Sequence, residues 1–304
     1  MSSRMRTLAK AGVPALVAVA VGAVAFSTSW PDASPTHAAK PPSAGPAAKA
    51  ESATKTAERA AAADPEDPAT WRLPIEAYMP TQAQTRLIAG TRDELLDACM
   101  DKAGYPAWMP PPDLPPVGGK TLTDWRYGIH DAALAAKNGY HPDPAQQAAY
   151  DEAASVGAVD KSGADDTAVR TCVSQVDGVA PASPVADLVQ QISGDAFLQA
   201  GKATGVVTVF NQWASCMKAK GYTYAKPMDA NDDPAFADPY TISDKEIATA
   251  TEDVACRDKY QVEKVWFDTE AKLQQTAIAQ HQDELDDVKA ATAQAVAKAR
   301  AAAR

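Results

Sequence analysis

"CMDKAGY" (Cys99–Tyr105) returns as "CMKAKGY" (Cys216–Tyr222), and the reading of this repeated phrase decides the fold. Ahead of the first copy, Leu87, Ile88, Leu95, Leu96, Cys99 and Met100 share one face at helical spacing, and Thr81 and Gln84 are spaced as a capping box. Ahead of the second, Val206, Phe210, Trp213 and Met217 follow at intervals of four, three and four. Each helix then meets a glycine, Gly104 or Gly221, where a left-handed residue can close the last turn, and a tyrosine that can fold back onto the apolar face. The phrase is a helix ending, with its Cys and Met turned inward.

Cys99, Cys172, Cys216 and Cys256 are the whole cysteine complement. No two stand at the short spacing of a zinc-ligand pair and no nearby histidine completes one, so no metal site is expected. Two disulfides are, and of the three connectivities the repeat favours Cys99 with Cys172 and Cys216 with Cys256, each phrase stapled to the next cysteine-bearing helix. Loops of this length give about 4 kcal/mol per bridge in the chain-entropy picture. The expected fold is all-α: a disulfide-stapled domain over 71–304, built as two pseudo-repeated halves, about 73–178 and 185–290. The halves are expected to meet through the faces carrying Leu96 and Trp213, each three residues before its cysteine.

Arg4, Arg6 and Lys10 precede an apolar run from Gly12 to Phe26, the layout of a secretory signal. The run contains Pro14 and Gly22 and falls short of the roughly 20 apolar residues of a membrane span. Residues 1–38 therefore read as a signal peptide, cleaved after Ala38 or Ala39, with contact to a membrane only if the segment is kept as an anchor. Residues 39–70 are rich in Ala, Pro and Ser and too poor in large apolar side chains to offset the entropy of ordering, which reads as a disordered tether.

In the ordered part, "GYPAWMPPPDLPPVGG" is too proline-rich for a helix and reads as an extended strap over Trp108. A short helix is expected from Asp131 to Lys137, ended by Asn138 and Gly139 and flanked by His130 and His141, both read as partly exposed. From Ser243 onward there is no Gly or Pro, and "SDKE" opens the stretch with the pattern of a second capping box. After a helix carrying Cys256 inward, Val262, Trp266, Leu273, Ala277, Leu285, Val288 and Val296 trace one stripe, predicting a single long helix of which the domain covers half. Its end, residues 289–304, is basic through Lys289, Lys298, Arg300 and Arg304, which suits a helix C-terminus.

Catalytic signatures fail one by one. "SCMK" (Ser215–Lys218) has the Ser-x-x-Lys spacing of penicillin-binding proteins, but no Ser-x-Asn follows and "GGKTL" is incomplete and on the wrong side. "DANDDPAFADPY" opens like a calcium loop with Asp229, Asn231 and Asp233, then places Pro234 where glycine is needed and Tyr240 where the bidentate Glu belongs. No phosphate-cradling loop, zinc-protease motif or nucleophile elbow occurs, and no cofactor is called for. The chain is net −10, and three basic and one acidic residue in the first 38 leave −12 for the remainder, a charge that repels nucleic acid and anionic lipid.

"LPIEAYMPTQAQTRLI", "CMDKAGY", "WRYGIHDAALAAKNGYH", "WASCMKAKGY" and "EIATATEDVACRDKYQVEKVWFDTEAKLQQ" together resemble a group of secreted proteins and lipoproteins from actinobacteria with no assigned catalytic residue. The resemblance spans about Leu73 to Ala290 and implies a cell-envelope protein; the lipobox cysteine of many relatives is missing here. The expectation is a non-catalytic module that binds an envelope protein or cell-wall component. The alternative is a peptidoglycan hydrolase with a carboxylate general acid, for which Glu270, near Trp266 and Phe267, and Glu76, near Tyr78, are the candidates.

Overall fold

In a computed structural model of the chain, residue 64 and residues 67–303, apart from 158, 159 and 185, are described. The segment read as a signal peptide, most of the expected tether and Arg304 lie outside the described residues, while the last residues of that tether, Pro68–Thr70, form a capped 3-10 turn and are not disordered. Ten α-helices follow in order: α1 (Gln82–Lys102), α2 (Ala132–Asn138), α3 (Pro144–Gly157), α4 (Asp166–Val179), α5 (Asp187–Ala200), α6 (Thr204–Ala219), α7 (Pro227–Asn231), α8 (Asp244–Tyr260), α9 (Val262–Gln280) and α10 (Gln282–Ala302). Short 3-10 turns at Pro68–Thr70, Pro74–Tyr78 and Pro234–Phe236 complete them, and the described residues contain no strand. The fold is all-α.

Both copies of the phrase close their helices in the same way. Tyr105 N–H donates to Met100 O and Gly104 N–H to Asp101 O; Tyr222 N–H donates to Met217 O and Gly221 N–H to Lys218 O. This crossed pair of bonds needs a left-handed residue between its donors, and Gly104 and Gly221 supply it at φ 93° and 96°. Met100 and Met217 are fully buried. The cysteines pair as the repeat suggested: Cys99–Cys172 ties α1 to α4 (Cα–Cα 5.7 Å) and Cys216–Cys256 ties α6 to α8 (5.9 Å). Two disulfides point to an oxidising, extracytoplasmic compartment. No helix among the described residues is long and apolar enough to cross a membrane.

The packing departs from two stapled halves. One main core joins Ile75, Tyr127, Ile129 and Tyr140 to Ile192, Phe210, Trp213, Val254, Trp266, Phe267 and Leu285, so side chains from residues 73–178 are built into the centre of the second half. Leu96 belongs to a separate small cluster around Met100, Trp108 and Cys172, away from the core that contains Trp213. The repeat is a shared helix ending and not a shared half, because α9 is the hub: it lies against α5, α6, the Pro74–Tyr78 turn and α8.

The long C-terminal helix is also two helices. His281 (φ −116°, ψ 27°) ends α9, donating its N–H to Ala277 O and Ile278 O, and α10 starts at the next residue. The stripe predicted as half covered continues into α10, but there it serves a different partner. Ala295, Val296 and Ala299 close a cluster with Ile88 of α1, and Lys289 stands over the Tyr78 ring at 4.1 Å. At the start of α8, Ser243 Oγ caps Glu246 N–H as predicted, while the Glu246 carboxylate turns away from the cap and accepts Tyr140 N–H at 3.0 Å. The second capping box is therefore only half formed. The strap over buried Trp108 and the helix capped by Asp131 are seen as expected.

Candidate functional site

Three chain segments bound a cleft of about 600 Å³: the turn from Asp67 to Trp71, the loop from Gly118 to Asp131, and the α8–α9 junction from Asp258 to Lys264. Each is held by its own local chemistry. Asp67 caps the first turn through Ala69 N–H at 3.0 Å, and Trp71 packs on Phe267 with ring centroids 4.8 Å apart. In the loop, Gly118 and Gly119 lie against the Trp125 ring so closely that a Cβ on either would stand about 3.1–3.3 Å from it. At the junction, Gln261 adopts a left-handed conformation (φ 51°), which ends α8 and starts α9 without a linker and brings Asp258, Gln261 and Glu263 to one wall.

Asp124 organises the loop wall. It is 4 % exposed, its Oδ2 accepts Lys120 N–H at 2.5 Å, and its Oδ1 lies 2.5 Å from His130 Nε2. On the opposite wall, partial burial raises the Asp258 carboxyl pKa, an effect that the charge of His130 opposes. Burial likewise raises Glu263, against the Arg257 guanidinium 3.2 Å from its Oε1. Lys264 is paired with Asp268, whereas Asp67, Asp131 and Asp258 have no ion-pair partner within 4 Å among the described residues. The cleft is thus an aromatic-edged, acid-rich concavity whose negative charge is incompletely balanced.

The carboxylates singled out in the sequence sit elsewhere. Glu270 is fully buried; Arg126 donates Nε–H and Nη2–H to it at 2.7–3.0 Å, Tyr127 O–H at 2.8 Å and Gln274 Nε2–H at 2.8 Å. Glu76 accepts Leu73 N–H and Thr123 Oγ–H through one oxygen, at 2.9 and 2.7 Å. Both are occupied as acceptors inside the fold, and neither lines the cleft. Ser215 donates its hydroxyl to its own helix at Asn211 O. In the calcium-like segment, Asp229 accepts Lys226 N–H and Asp233 accepts Tyr224 O–H and Ala235 N–H. No group of three or more His, Cys, Asp or Glu among the described residues could hold a metal ion. His130 and His141 take different carboxylates, Asp124 and Glu246, and their side chains are only 12 % and 14 % exposed.

Sequence reasoning missed Asp124 and Asp258. The one available signal was "DWRYGIHD", in which charged residues interrupt an otherwise apolar run, but the partner Asp258 comes from a helix 134 residues later and no spacing rule joins them. No protein-family model, curated protein or solved structure matches this chain.

Proposed function

We propose that the protein is a secreted, non-catalytic binding module of the cell envelope, of the kind its resemblance to the actinobacterial group implies, and that the Asp124–Asp258 cleft takes an amine-bearing component of the cell wall. The observation that supports this most directly is the charge of the cleft: Asp67, Asp131 and Asp258 face it without an ion-pair partner among the described residues, while the exposed Lys120 stands at its rim. A ligand ammonium would be drawn to these carboxylates, and the half-exposed Trp125 offers an apolar side to the rest of the ligand. The concavity is of the size that small-molecule sites occupy.

Calorimetric titration of the protein with wall-derived peptides bearing a free side-chain amine tests this reading. Binding is expected, weakened about tenfold or more by Asp258→Asn with Asp131→Asn, and weakened by salt. Binding unaffected by these substitutions would place the ligand elsewhere, and no binding to any wall component would sink the proposal.

The alternative, a peptidoglycan hydrolase, now rests on Asp258, whose carboxyl pKa is raised by partial burial and which lines the cleft opposite His130, whereas Glu270 and Glu76 lie outside it. Release of muropeptides from purified wall, abolished by Asp258→Asn, would favour it over the binding module.

A further inference from the structure

We infer that Cys99–Cys172 is a site of thiol–disulfide exchange, and that its opening releases α4 and the proline-rich strap while the main core stays closed. The two disulfides occupy different surroundings. Cys99 and Cys172 both line a second cavity of about 630 Å³, along with Leu95, Ala98, Lys102 and Gln175. Cys99 is the half-buried member, its Sγ 3.6 Å from the exposed Gln175 Oε1, whereas Cys172 is 2 % exposed. In Cys216–Cys256 one member, Cys216, is half-buried too, but Cys256 is wholly buried, the bridge lies against the main core, and neither residue lines either of the two cavities.

The geometry selects the sulfur that is attacked. A thiolate of a dithiol reductant, entering from the cavity past the positive charge of Lys102, bonds to Cys99 Sγ; the Cys99–Cys172 bond breaks, and its electron pair leaves on Cys172, which is then protonated. The second thiol of the reductant attacks its own sulfur in the mixed disulfide, so the reductant leaves as a disulfide and both cysteines are left reduced. What the bridge holds is slight. Its cluster buries only Met100, Trp108 and Cys172, and α4 packs against α1 and, more lightly, α10. Without the bridge, this unit has far less buried apolar surface to keep it docked than the main core has. Trp108 anchors the strap, whose Met109 and Leu114 are 74 % and 51 % exposed, so the strap loosens with it.

Graded dithiothreitol on the native full chain, quenched by alkylation and mapped by mass spectrometry, tests the inference. Cys99 and Cys172 should be labelled at reductant concentrations about tenfold or more below those that label Cys216 and Cys256. Hydrogen exchange on the partly reduced protein should show lost protection in 166–179 and 100–108 and retained protection in α6, α8 and α9. Ala98→Trp, on the exposed rim of the same cavity, should slow reduction of Cys99–Cys172 several-fold and leave Cys216–Cys256 unchanged. Simultaneous opening of both bridges, prior opening of Cys216–Cys256, unchanged exchange in 166–179 after reduction, or no effect of Ala98→Trp would each overturn it.

Discussion

Arg126 and Glu270 lie 144 residues apart in the chain and meet with Nη2 2.7 Å from Oε1. The pair pins the loop that carries Asp124 and His130 to the hub helix α9, and Arg126 also donates to Ser193 O of α5 at 2.9 Å. Removing one partner leaves a buried charge without compensation. Glu270→Ala is expected to cost about 3–5 kcal/mol in urea denaturation, and Arg126→Ala a similar amount. A double variant costing much less than the sum would confirm that the two act as a unit; additive effects would show that they do not.

Gly128 has φ +105°, and a Cβ there would stand 2.5 Å from Arg257 Nη1. Arg257 is fully buried and donates to Asp253 Oδ1, Glu263 Oε1, Pro227 O and Tyr127 O, so it has little freedom to withdraw. Gly128→Ala should therefore destabilise by more than the roughly 1–2 kcal/mol of a left-handed alanine alone. Gly104→Ala and Gly221→Ala meet no atom within 4 Å and should show only that backbone cost, at both copies of the phrase. A loss at Gly128 no larger than at Gly104 would refute the role assigned to Arg257.

Burial and the carboxylates Glu270 and Asp253 raise the pKa of Tyr127 and Tyr140 above the ordinary value of 10.0. Above about pH 10 the unfolded chain loses these phenol protons while the folded chain keeps them, so the unfolded state binds fewer protons and stability falls as pH rises. Each of the two tyrosines is expected to cost about 1.4 kcal/mol in total between pH 9 and 11, the slope steepening as pH passes 10. Urea denaturation between pH 9 and 11 measures it, and Tyr140→Phe should remove one share. A flat profile over that range would contradict the linkage.

Deleting residues 282–304 should expose Ile88 and Leu87 on α1 and remove the cation over Tyr78. The truncated protein is expected to lose protection in α1 by hydrogen exchange and to melt lower. Unchanged exchange in α1 would restore the picture of a C-terminal helix that the domain leaves half uncovered.

Local features were legible in the sequence because they rest on neighbours: the capping box at Thr81, the two glycine endings, the strap, and the helix between Asp131 and Gly139. The disulfide pairing was legible because the repeat supplied a register. The break at His281 was not, since neither Gly nor Pro marks it and the apolar stripe runs on through both helices. The destination of Glu246 was equally hidden. Its spacing from Ser243 is that of a cap, and only the arrival of Tyr140 from 106 residues away claims its carboxylate. The cleft suffers most from this limit, because Asp124 and Asp258 come to one cleft only when the loop pinned by Arg126 and Glu270 docks on α9.

The docking of α10 on α1 sets an order of events during synthesis. Ile88 is covered by Ala295, Val296 and Ala299, so α1, the first long helix among the described residues, must wait for residues more than 200 positions later. Tyr127 and Tyr140 wait similarly for α8 and α9. A nascent chain held open in this way keeps little long-range structure while it is being made. The chain can close only once its last helices have been made.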